Sequence, residues 1–155
     1  MVGVYLLDSS ALVKRYVTEA GTSWVQSITT PQAHNALLVA RIAWVEVLAA
    51  LARRQREGNL ASASVARTIE TFRYDLDTQY QVVELDRQLA EAAGQLVCRH
   101  PLRAYDAVQL AAALRVHAFS MRARSTPLTF LSADERLLAI AQAEGLLTAN
   151  PNQYP

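Results

Sequence analysis

The chain has 155 residues, 52% of them hydrophobic and 19% charged, with a formal net charge of +1. This length suits one domain over residues 1–155, and the composition is that of a globular protein and excludes a disordered one. The near-neutral charge excludes a strongly basic nucleic-acid arm, but it is compatible with a local basic face over an acidic cleft.

In chain order, Val2 to Leu7 reads as a short buried strand. Asp8-Ser-Ser10 is polar, and a helix follows from Ala11 to Val17. Gly21 interrupts before a helix over Thr22–Ile28, and Pro31 to Asn35 is a loop. Leu37 to Val39 is a second strand, leading into a helix from Ile42 to Glu57 that Gly58-Asn59 closes. Leu60 to Asp77 is a long helix with Val65, Ile69 and Phe72 on one stripe. Tyr80 to Leu85 is a strand, and Asp86 suits the N-cap of a helix through Arg99. Cys98 in that helix has no disulfide partner within the chain and is expected in the core, as fits a reducing compartment.

Pro101 breaks the chain before a helix that runs to about Phe119. Met121 to Thr126 reads as a loop and Leu128 to Leu131 as a strand. Ser132-Ala-Asp-Glu135 opens a helix ending at Gly145, with Ser132 and Glu135 as a capping box. Leu146 to Thr148 is a candidate edge strand, and residues 149–155 are expected to fray. Strands alternating with helices predict an α/β fold with a mainly parallel sheet. The apolar N-terminal run lacks a basic n-region, and no uncharged stretch is long enough to span a bilayer. The expectation is a cytoplasmic protein with no membrane partner.

Four carboxylates stand in unusual surroundings. Asp8 ends the run Val4-Tyr-Leu-Leu7, and Asp134 follows the strand Leu128–Leu131 by three residues. Glu46 is the only charge between Ile42 and Ala52, and Asp106 is the only charge between Ala104 and Leu114. An ionised carboxylate in apolar surroundings is costly unless a positive group pairs with it. No Lys or His stands beside these four, so a metal ion is the expected partner. Carboxylates without His or Cys ligands select hard ions, Mg²⁺ or Mn²⁺. His34, His100 and His117 show no ligand spacing.

Each acid has a plainer reading too. Asp8 suits a helix N-cap, Asp134 suits the first turn of a capped helix, and Asp106 suits a helix dipole or a pair with Arg103. Glu46 is the hardest to explain in this way. Ser10 is a candidate auxiliary residue or a simple helix-start serine. There are fourteen Arg against the single Lys14, a usage that suits phosphate binding or reflects coding composition. Arg53-Arg54-Gln-Arg56 reads first as a solvated helix end and second as a phosphate contact.

Leu7-Asp-Ser-Ser-Ala-Leu-Val-Lys14, Trp44-Val-Glu-Val-Leu-Ala49, Arg103-Ala-Tyr-Asp-Ala-Val-Gln-Leu-Ala-Ala-Ala113 and Phe130-Leu-Ser-Ala-Asp-Glu-Arg136 resemble, in order and spacing, the four motifs of PIN-domain nucleases. The resemblance covers nearly the whole chain and is strongest to VapC-type toxins of bacterial toxin–antitoxin pairs. It implies a three-layer PIN-like sandwich and a Mg²⁺- or Mn²⁺-dependent endoribonuclease. It also implies metal-site roles for Asp8, Glu46, Asp106 and Asp134, an RNA substrate, an antitoxin partner and a homodimer. Where relatives often carry a small hydroxyl residue before the second acid, this chain has Val39-Ala-Arg41. Glu135 competes with Asp134 for the fourth acidic role. The alternatives are a non-catalytic PIN-fold module that binds RNA or protein, and a phosphatase with Asp8 as nucleophile. The phosphatase lacks its usual second acid, because Ser10 stands two residues on.

Overall fold

Strands that are apolar on both sides belong inside a parallel sheet covered on two faces. The protein, described here over residues 2–154 by a computed structural model, builds such a sheet from β1 (Val4–Leu7), β2 (Ala36–Ala40), β3 (Gln81–Val83), β4 (Leu128–Leu131) and β5 (Leu147–Ala149). Their order is β3-β2-β1-β4-β5, and every neighbouring pair is parallel. The helices between them are α1 (Ser9–Tyr16), α2 (Thr22–Thr29), α3 (Ala43–Arg56), α4 (Ser62–Thr78), α5 (Arg87–Arg99), α6 (Ala104–Arg122) and α7 (Glu135–Ala143).

The period-2 alternation of strand side chains divides the core into two layers. Leu6, Leu38, Leu128 and Phe130 face α5, α6 and α7. Leu7, Leu37, Val39 and Leu131 face the opposite way, toward α1, α3 and α4. On that second side Phe72 of α4 is fully buried between Tyr16 and Trp44, with ring centroids 5.3 and 5.5 Å away. The result is the three-layer α/β/α sandwich expected from the sequence.

Several local expectations are corrected. Met121 and Arg122 continue α6 and do not begin a loop. The Ser132–Glu135 capping box does not form: α7 starts later, and Asp134 is its N-cap. Cys98 is exposed, because the apolar stripe of α5 runs through Leu89, Ala93 and Leu96 and leaves it on the outer face.

The C-terminal segment is not frayed where it is described. Leu147–Ala149 pairs with β4, Pro151–Gln153 forms a 3-10 turn with Pro151 buried, and Tyr154 stacks on Trp24 at 4.3 Å between ring centroids. Gly21 makes room for it. Its φ of 84° is a left-handed conformation, and a Cβ there would run into the Pro151 carbonyl. Residue 155 lies outside the described residues. Among the described residues, no helix is long and apolar enough to cross a membrane.

Candidate active site

In a sheet of this order the chain leaves β1 to one side and β4 to the other, and the crevice opens at their carboxyl ends. Asp8 sits there directly after β1, its backbone N–H donating to the Leu131 carbonyl of β4 at 3.0 Å. The residue is 4% exposed. Oδ1 accepts from the Ser10 hydroxyl at 2.6 Å and from the Ala11 N–H at 2.9 Å. Asp8 therefore does cap α1, and the same carboxylate lies at the crevice between β1 and β4. Burial pushes its pKa up to about 6; the Ser10 and Ser132 hydroxyls and the Ala11 N–H pull down, and the Glu46 charge pushes up.

Ser10 is more than a helix-start serine. Its Oγ also accepts from the Ala133 N–H at 2.9 Å and lies 3.4 Å from Ser132 Oγ, so it ties the ends of β1 and β4 together.

Glu46 lies in the first turn of α3, because the helix begins only at Ala43. The Ser9 hydroxyl donates to Oε2 at 3.1 Å, and the Gln109 amide donates to Oε1 at 2.8 Å. Desolvation raises its pKa first, these two donors lower it, and the Asp106 charge raises it again. Ser9 and Gln109 were not among the sequence candidates. Gln109 had a signal: it is the one polar side chain between Ala107 and Ala113, and it is 1% exposed. Its Oε1 is buried without a hydrogen-bond partner, so the amide is held for what its NH₂ does.

Asp106 is half-buried in the first turn of α6. Its nearest cation is Arg103, with Nε at 3.8 Å on a side chain that is 87% exposed. A pair so open to water neutralises little. Desolvation raises the Asp106 pKa, Arg103 opposes this, and the Asp134 charge adds to it. Asp134 Oδ1 accepts from the Arg136 and Leu137 N–H groups at 2.9 and 3.2 Å. It lines, with Asp106, a hollow of about 250 Å³. Glu135 is engaged elsewhere, accepting from the Asn150 amide.

The four acids thus form a row along the strand ends: the Glu46 charge bears on Asp8, the Asp106 charge on Glu46, and the Asp134 charge on Asp106. They do not close into one ring. Among the described residues, no three His, Cys, Asp or Glu side chains stand close enough to hold a single ion. Donors hold three of the carboxylates: the Ser10 hydroxyl and the Ala11 N–H hold Asp8, the Ser9 hydroxyl and the Gln109 amide hold Glu46, and the α7 N–H groups hold Asp134. Asp8, Glu46 and Asp134 have no ion-pair partner among the described residues. An all-oxygen donor set with uncompensated negative charge fits a hard divalent cation.

A parallel α/β fold with a row of carboxylates at the switch point defines a narrow class. The family model for the PIN domain matches residues 5–143. Over 109 residues the chain is 37% identical to Ribonuclease VapC45 of Mycobacterium tuberculosis (strain CDC 1551 / Oshkosh), covering 70% of this chain and 74% of that one. The chain belongs to the PIN-domain family, on its VapC branch. VapBC2 from Rickettsia felis, solved bound to a DNA fragment from its promoter, shares the fold with a TM-score of 0.61 at 10% identity, over 95% of this chain and 98% of that one. So does VapC20 of Mycobacterium tuberculosis, a Sarcin-Ricin loop cleaving toxin, with a TM-score of 0.61 at 15% identity over 92% and 96%.

Proposed function

We propose that this chain is a Mg²⁺- or Mn²⁺-dependent endoribonuclease that acts as the toxin of a toxin–antitoxin pair. The observation that carries the reading is the row Asp8–Glu46–Asp106–Asp134 at the carboxyl ends of β1 and β4, in which Asp8, Glu46 and Asp134 have no ion-pair partner among the described residues and Asp106 has only a solvent-open one. The VapC relatives, ribonucleases by name, point the same way. Solved relatives that are toxin–antitoxin complexes suggest a small inhibitory protein partner. A homodimer is part of the same reading.

Adjacent members of the row Asp8, Glu46, Asp106 and Asp134 would supply the carboxylate oxygens for the ion. When bound, it supplies Lewis acidity to a phosphodiester and to an attacking water. The chain's own residues do the rest. Ser10 fixes the Asp8 carboxylate and ties it to the β4 end, and Ser9 and Gln109 fix Glu46 from two helices. Asp106 and Asp134 set the negative edge of the hollow, leaving its open side to the substrate.

Single-stranded RNA incubated with the protein is expected to be cut with Mg²⁺ or Mn²⁺ present and left intact with excess chelator. Undiminished cleavage in chelator defeats the metal-dependent reading; no cleavage under any metal condition defeats the nuclease. Gln109→Leu should fold, because it removes a buried amide from an apolar helix. It should reduce cleavage about tenfold, as losing a partner that orients a ligand does. A higher metal concentration should recover part of that loss, and an unchanged metal titration would argue against the orienting role.

A further inference from the structure

Helix α3 divides its residues between two faces. Ala43, Val47 and Leu51 are buried against the sheet, and Arg54 turns inward to Glu19 at 2.8 Å. The opposite face is open. From Glu46 it runs past Val45 and Ala49 to Arg53 and Arg56, and with Ser9 and Tyr105 it forms a groove of about 500 Å³. Val45 and Tyr105, 58% and 59% exposed, give it a flat apolar surface beside the acid row. Tyr105 directly precedes Asp106 in the chain.

We propose that this groove binds the unpaired nucleotides that flank the scissile phosphodiester, with Tyr105 stacking on a base and Arg53 and Arg56 holding backbone phosphates. The inference rests on the ribonuclease reading and adds to it a strand path. Three observations carry it. Arg53 and Arg56 make no ion pair among the described residues, unlike Arg54 between them, which is held by Glu19. Two free guanidinium groups on one face complement a polyanion. The groove is continuous with Glu46 at one end, and ten residues of helix place Arg56 ~15 Å along it. An exposed ring beside a positive groove is the usual platform for single strands, which offer base faces that a duplex hides. The cluster Arg53-Arg54-Gln-Arg56 is therefore not one solvated helix end: Arg54 is structural, and Arg53 and Arg56 face the groove.

The test is binding without cleavage. A fluorescein-labelled single-stranded oligoribonucleotide of mixed sequence is titrated in chelator with the full chain, and anisotropy is followed across salt concentrations. Tyr105→Ala should weaken binding about tenfold and Tyr105→Phe should restore it, because stacking needs the ring and not the hydroxyl. Arg53→Gln with Arg56→Gln should flatten the slope of log K against log salt by about 1.4, at ~0.7 per phosphate contact. Arg67→Gln, an exposed change on α4, should leave both quantities unaltered. Unchanged affinity and slope in the groove variants would overturn the assignment and leave the groove to a protein segment, as would absence of saturable binding or equal binding of a duplex. Cleavage that persists while these variants bind normally removes the strand path and spares the nuclease. Tyr105-dependent binding without metal-dependent cleavage does the reverse.

Discussion

Asp106→Asn is expected to give a folded protein whose RNA cleavage falls roughly 100-fold or more, the scale of losing one preorganised charge-stabilising group. The fold has little stake in this carboxylate. Its one ion pair, to Arg103 at 3.8 Å, is open to solvent. The favourable contact with the α6 N-terminus is worth ~0.3–1 kcal/mol and is offset by relief of repulsion from Asp134. Asn keeps the shape and removes the charge. Thermal melts by circular dichroism should therefore overlay those of the unmodified protein while initial rates at saturating Mg²⁺ collapse. Full activity in Asp106→Asn would remove this residue from the site.

Asp8→Asn should stabilise the metal-free protein at neutral pH. The carboxyl moves from 3.8 to about 6 on folding, mainly because it is buried. A raised acid pKa means that the folded state holds the proton more tightly than the unfolded chain. Stability from this group is then highest below pH 3.8, falls as pH rises through the window up to about 6, and stays low above it. The full excursion corresponds to about 3 kcal/mol. Asn is neutral throughout and retains Oδ1 as the acceptor for the Ala11 N–H, so the cap of α1 survives. At pH 7.5 in chelator, Asp8→Asn should melt ~5–10 °C higher than the unmodified chain. At pH 4 the two should converge, and Mg²⁺ or Mn²⁺ should raise the unmodified chain selectively. An equal difference at both pH values would show that charge burial is not its cause.

Much of the layout was legible because hydrophobic patterning is local. The strands ending at Leu7 and Leu131 and the lone acids at Glu46 and Asp106 stand out from their neighbours in the chain itself. Other features were not, because they depend on which distant residue arrives. Cys98 looked like core until the stripe through Leu89, Ala93 and Leu96 set the orientation of α5. The tail looked free until Gly21 and Trp24 received it. Asp134 and Glu135 are adjacent in sequence, and only the fold shows that Glu135 accepts from the Asn150 amide while Asp134 caps α7 and lines the hollow.

Residue order alone determined the alternation of strand and helix, the four isolated carboxylates and their place after apolar strands, since burial preferences and turn chemistry act over a few residues at a time. Tertiary structure decided that the acids lie in a row and not a ring, that Ser9, Ser10 and Gln109 hold them, and that Arg53 and Arg56 share a face with Tyr105. Those outcomes depend on parallel pairing across β2, β1 and β4 and on the Gln109–Glu46 hydrogen bond that joins α6 to α3. Such contacts join residues far apart in the chain, and no local pattern encodes their distances.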